Sequence, residues 1–134
     1  MSEEDLERKL LILISQGVSD RKQASNQSSA LSLMKARKVP YVFVDGMDAS
    51  QRDARNELFK ISGIRGNYPQ FFFIFSDGTI SYIGDWDHLE SINEADSLPP
   101  DVLEQNPQVE TWTRVFGKVV KQFGDADGEE DTSN

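Results

Sequence analysis

The stretch Asn67–Leu89, NYPQFFFIFSDGTISYIGDWDHL, decides the fold. Phe71–Phe75 is an unbroken apolar run, long enough for a central strand and too short for a helix. Pro69 stands just before it, where a missing N–H does least harm to a ladder. Ser76-Asp77-Gly78 predicts a tight turn, and Thr79–Ile83 alternates polar, β-branched and aromatic residues as a partner strand does. Gly84-Asp85-Trp86-Asp87 then leads into a helix over about 88–95, capped by Asp85 or Asp87. A hairpin feeding a helix is the expectation.

Toward the N-terminus, Leu10–Ile14 is a continuous apolar run that predicts a strand buried on both faces. Residues 2–9 read as a helical turn or a frayed end. The loop Ser15–Asp20 contains Gly17, and Ser19 or Asp20 is available as an N-cap. Residues 21–38 predict a helix with a modest apolar stripe of Ala24, Gln27 or Ser28, Leu31, Met34 and Lys35, stopped by Pro40. Tyr41–Val44 reads as a second short buried strand. Ser50 is the expected cap of a helix over about 51–61, with Ala54, Leu58 and Ile61 on its inner face. The order is β-α-β-α-β-β-α, an α/β fold with a four-stranded mixed sheet. Leu98-Pro99-Pro100 marks a boundary after a first unit, residues 1–98. Residues 99–123 read as a linker and an amphipathic helix from about Gln108 to Gln122, with Asn106 as N-cap and Pro107 at the first turn. Its apolar stripe, Trp112, Phe116, Val119, Val120 and Phe123, is expected to pack on the domain, with a partner or dimer face as the alternative. Gly124 is the expected end, followed by a solvated, disordered acidic tail over 124–134.

The chain has 134 residues, a formal net charge of −9 and no cysteine. That charge opposes nucleic acid or an anionic membrane as the main partner. Without cysteine there is no disulfide framework, thiol nucleophile or thiolate metal site. The acidic, mixed start shows no signal-peptide pattern, and Leu10–Ile14 is too short to cross a bilayer, so a cytoplasmic location is the expectation.

With Tyr68-Pro69-Gln70-Phe71, Gly78 and Ile83-Gly84-Asp85-Trp86-Asp87-His88-Leu89 in this order, residues 10–96 resemble the thioredoxin fold and, within it, the glutaredoxin branch. The SH3-domain-binding glutamic-acid-rich family, glutaredoxin-like without the redox motif, is the most similar group. Its Pro-Gln strand and Gly-Asp-Tyr-Asp-like turn are matched by Pro69-Gln70 and Gly84-Asp85-Trp86-Asp87, and its Ser/Gly-rich loop by Ser15–Ser19. The resemblance implies a cis Pro69 whose neighbouring backbone faces the loop after the first strand. Active relatives carry a Cys-x-x-Cys or Cys-x-x-Ser there, because the thiolate is the attacking species. Here the loop reads Ser15-Gln16-Gly17-Val18-Ser19-Asp20, and hydroxyls do not perform disulfide exchange. The Pro-x-x-Pro segment of the SH3-binding group has no counterpart, so no SH3-ligand role is expected.

Three functions stay open on this basis. The first is a non-enzymatic, redox-inactive interaction module, an adaptor or regulator holding a protein partner along Gln16, Tyr68, Pro69, Gln70, Tyr82 and Trp86. The second is a glutathione-binding or transferase-like protein, for which the resemblance implies Tyr68, Gly84, Asp85 and Asp87, with Lys60 or Arg65 reaching a carboxylate. The third is a structural subunit assembling through the C-terminal helix. Against any ligand site stands the plainer reading, preferred here, in which Pro69 serves the fold and Asp85 and Asp87 are caps. No cofactor or metal is expected. The sole histidine, His88, shares one turn with Asp85 and Asp87 but has no second cluster of ligands. Asn56 replaces the glutamate that a calcium loop starting at Asp45 requires, and the Gly63-x-x-Gly66 segment lacks the Lys of a phosphate loop. No oligomeric state follows from the sequence.

Overall fold

A computed structural model describes residues 6–133, with side chains described through Phe123. Four strands, β1 (Arg8–Ile14), β2 (Tyr41–Asp45), β3 (Gln70–Phe75) and β4 (Ile80–Asp85), form one sheet in the order β2-β1-β3-β4. β1 and β2 run parallel, whereas β3 is antiparallel to both β1 and β4. The helices are α1 (Arg21–Ala36), α2 (Arg52–Ser62), α3 (Trp86–Ala95), α4 (Pro100–Gln105) and α5 (Trp112–Ser133). The expected α/β class with a mixed four-stranded sheet is therefore observed.

Alternation along the strands divides the core in two. Leu10, Ile12 and Ile14 of β1 join Phe71, Phe73 and Phe75 of β3 against α1, α3 and α5, through Ala30, Met34, Leu89, Ile92, Trp112, Phe116 and Val119. On the other face Leu11, Leu13 and Phe72 meet Leu58 and Phe59 of α2. The C-terminal helix thus contributes to the larger core, and its ring contacts, Trp112 on Phe116 at 4.5 Å and Phe73 on Phe116 at 5.9 Å, join it to β3. At the C-terminal end of α3, Asp96 accepts from Arg37 Nη1 (3.1 Å) and from the Thr113 N–H and hydroxyl (3.0 and 3.1 Å), tying α1, α3 and α5 together.

Several expectations need correction. β2 is not buried. It is the sheet's edge, with Tyr41 37 %, Val42 46 % and Phe43 51 % exposed. β1 starts at Arg8, so residues 8–9 are strand and neither turn nor frayed; residues 1–5 lie outside the described part. On α1 the expected Met34 is buried and Leu31 packs against the core, but Ala24, Ser28 and Lys35 are exposed, and Ala30, outside the expected stripe, is buried. On α2, Ala54 is likewise exposed, and Phe59 is buried in its place beside Leu58. Asp48, not Ser50, starts the α2 region: its carboxylate accepts the Ser50 N–H (2.9 Å) ahead of a 3-10 turn at Ala49–Gln51. The Leu98–Pro100 boundary opens the short helix α4, with Pro100 at its first position. Asn106 ends α4, and α5 begins four residues after the expected Gln108 because Thr111, 2 % exposed, accepts the Arg114 N–H (3.1 Å) as its cap. Nor does Gly124 stop α5. The backbone stays helical to Ser133 where a disordered tail was expected, since glycine inside a helix costs only about 1 kcal/mol; Asn134 lies outside the described residues.

Candidate functional site: a cleft at two helix starts

The chain leaves β1 through Ser15, whose backbone is held from both sides by one side chain. Its N–H donates to Gln27 Oε1 (2.7 Å), and its carbonyl accepts from Gln27 Nε2 (3.1 Å). Asp20 then caps α1 by accepting the Gln23 N–H at 2.9 Å. Across from this turn, β3 is entered through a cis peptide bond between Tyr68 and Pro69, as the resemblance implied. The Tyr68 N–H donates to Gln23 Oε1 (3.0 Å), so α1 and the proline segment are directly joined. After β4, Asp85 accepts the His88 N–H (3.0 Å) and starts α3, with Trp86 and Asp87 in its first turn. Gly84 is required just before it, because an added Cβ would lie 2.7 Å from the His88 ring.

A cleft of about 280 Å³ opens where these three segments converge. The start of α1 lines it with Asp20, Lys22, Gln23 and Asn26, and the proline segment with Asn67, Tyr68 and Pro69. The first turn of α3 adds Asp85, Trp86 and Asp87. Three carboxylates face one ammonium group, and two of the carboxylates already serve as caps. A second, wider depression shares Trp86 and continues between α1 and α3 past Ser29, Leu33, Glu90 and Asn93.

The expected site residues do not all meet there. Tyr68, Pro69, Asp85, Trp86 and Asp87 line the cleft. Gln70 is fully buried, and its Nε2 donates to the carbonyls of Ile64 (3.0 Å) and Asn67 (2.8 Å); its side chain shapes the loop before Pro69 and is not offered to a partner. Tyr82 lies on the α2 face, its ring 5.3 Å from that of Phe72. Burial, and then the Asp85 carboxylate, push its phenol above the usual value. Gln16 is exposed and bonds by its N–H to Asp45 Oδ1 (3.1 Å), beside the loop after β2. Lys60 and Arg65 border a separate depression with Asp53, Asn56 and Glu57. The Tyr68 ring reaches that side of the molecule too: its hydroxyl lies where a Cβ on Gly46 would stand, 2.7 Å away. Burial raises its pKa, which the Arg55 guanidinium partly offsets and Asp45 reinforces.

His88 Nε2 is 3.3 Å from Glu110, an ion pair when protonated, which joins α3 to the segment before α5 and leaves no free histidine for the cleft. The lining residues that the sequence reading did not assign to the site are Asp20, Lys22, Gln23, Asn26 and Asn67. Their signal was available in the glutamines at 23 and 27, one turn apart on α1, which satisfy loop backbone and do not join an apolar stripe. No protein-family model matches the chain, and no curated protein matches it significantly. Among the described residues no helix is long and apolar enough to cross a membrane.

Proposed function

We propose that this protein is a redox-inactive, thioredoxin-like interaction module that holds an extended segment of a partner protein in the cleft between α1, the Tyr68–Pro69 segment and α3. One observation carries the reading: the cleft joins two helix starts to the cis-proline edge in a chain without cysteine. The strand order, with α1 and α3 on one face and α2 on the other, supports the thioredoxin-like assignment. Thiol exchange needs a thiolate, and none of the lining side chains supplies an equivalent nucleophile. What the lining offers is recognition: the Trp86 ring as an anchor, Lys22 and Asn26 as polar contacts, and Asp87 for a cation. A peptide backbone pairing with the Tyr68 N–H has to displace Gln23 Oε1.

The glutathione reading has less support. Its two carboxylates would meet Asp20, Asp85 and Asp87 with Lys22 the sole cation in the lining, while Lys60 and Arg65 belong to another depression. The assembly reading is weakened because Trp112, Phe116 and Val119 are spent on the domain's own core. Peptide-display selection on the full chain, followed by amide NMR mapping, tests the proposal. Selected peptides are expected to shift Gln23, Tyr68, Trp86 and Asp87 and to bind Trp86→Ala at least about tenfold more weakly, the scale of a lost aromatic anchor. Peptides mapping elsewhere, or shifts of the same amides by reduced glutathione at millimolar levels, would favour the other readings.

A further inference from the structure

The cleft does not end at Trp86. That side chain, which packs partly on the core, also lines the second depression, about 530 Å³, between α1 and α3. The two helices run side by side in the same direction. Their starts meet at the cleft, and their other ends meet where Arg37 donates to Asn93 Oδ1 (2.6 Å) and to Asp96 (3.1 Å). Cleft and groove together follow α1 from Asp20 to Ala36. With 16 residues, α1 is about 24 Å long, a length that about seven residues of extended chain would span.

The two walls differ in character. α1 contributes the small side chains of Ser29, Ser32 and Ala36, which leave room for long ones from a partner. α3 contributes carboxylates, Asp87 to the cleft and Glu90 and Glu94 to the groove. Their spacing of three and four positions sets them in one stripe, about 5 Å apart along the helix. Among the described residues, no hydrogen bond or ion pair uses these three carboxylates. Helix starts favour an anion, but Asp20 and Asp85 already fill that role by accepting the Gln23 and His88 N–H groups. Lys22 is the sole cation in either lining, against five carboxylates. Given that the cleft holds an extended partner segment, as proposed above, we infer that this segment is basic, with lysine or arginine at alternate positions, and continues past Trp86 into the groove between α1 and α3. An extended chain turns alternate side chains to one face about 6.7 Å apart, a mismatch with the carboxylate stripe that flexible lysine stems take up. Trp86, at the junction, receives one of the cations on its ring. An acidic segment would instead meet uncompensated carboxylates along the whole groove.

The test is a charge swap on the full chain, read by fluorescence anisotropy with labelled heptapeptides of alternating lysine and threonine. Versions with glutamine or glutamate in place of lysine serve for comparison. The lysine peptide is expected to bind at least about tenfold more tightly than the glutamine peptide, the scale of several exposed ion pairs acting together. Glu90→Lys with Glu94→Lys should weaken the lysine peptide at least about tenfold and let the glutamate peptide bind. Glu57→Lys with Glu104→Lys makes the same change in net charge at exposed positions outside both depressions, and should alter binding less than about twofold. Equal binding of the lysine and glutamine peptides, or an equal effect of the two double variants, overturns the inference. So does spermine, which carries the charges without a backbone, if it binds as tightly as the lysine peptide. Amide NMR mapping separates the two levels. A glutamine peptide that binds as well as the lysine one and shifts Gln23 and Tyr68 leaves the cleft reading standing and removes only the basic partner. Lysine-dependent binding that never shifts Gln23 or Tyr68 overturns the cleft reading and the inference with it.

Discussion

β1 and β2 are neighbours in one sheet and similar in sequence, yet they do opposite things. Leu10–Ile14 is between 0 and 7 % exposed along its whole length. Tyr41-Val42-Phe43, equally apolar, is between 37 and 51 % exposed. Composition therefore reports that a segment is a strand and says little about where the strand sits. β1 has strands on both sides and a helical layer on both faces, whereas β2 has β1 on one side and no second strand on the other. What stabilises a strand residue is what packs on it, and that differs between centre and edge at equal hydrophobicity.

Mutations at centre and edge should separate by several kcal/mol. Phe71→Ala, at a fully buried ring between β1 and β4, is expected to cost about 3–5 kcal/mol in urea unfolding. A cost below about 1 kcal/mol there would remove the distinction between the two strands. Asp96→Ala comes next. It leaves Arg37 and the start of α5 without their shared acceptor and should cost about 1–3 kcal/mol. Asp85→Ala removes the cap of α3 at the cleft and should cost about 1 kcal/mol. Phe43→Ala on the edge should change stability by less than about 0.5 kcal/mol in the same urea unfolding measurement.

Asp96 also makes a pH test. Burial raises its pKa, but the Thr113 N–H and hydroxyl and the Arg37 guanidinium outweigh that, and the net shift is downward from 3.8. A lowered pKa in the fold means the carboxylate contributes stability above the unfolded value and loses it as the pH falls through the folded value. The stability difference between wild type and Asp96→Asn should therefore be constant near neutrality and shrink below about pH 4. A difference that does not shrink in acid would place the contribution of Asp96 elsewhere than in its charge.

Much of the architecture was legible residue by residue. The hairpin of β3 and β4 is announced by Phe71–Phe75, Gly78 and the alternation after it, because turn chemistry and strand pattern act locally. The start of α3 at Asp85 is local for the same reason. The start of α5 was misplaced because Asn106-Pro107 has the local chemistry of a helix start, while Thr111 wins by being buried where its hydroxyl caps α5. In the cleft, Tyr68, Pro69, Asp85, Trp86 and Asp87 were identified from the sequence; Gln16, Gln70, Tyr82, Lys60 and Arg65 were assigned to a site and lie elsewhere. Gln70 and Tyr82 are on the two strands flanking the cleft, but strand alternation sends each side chain into the protein rather than toward the opening.

By itself, the sequence determined the four strands, the helices other than α4, the lack of cysteine and the proline at the mouth of β3, since each depends on a side chain or its immediate neighbours. Only the tertiary structure decided that Tyr41–Phe43 is an edge, that Trp112 and Phe116 complete the core beneath α3, and that Gln23 closes on the Tyr68 N–H. These are contacts between residues tens of positions apart, set by which layer covers which strand, and no local pattern encodes that choice.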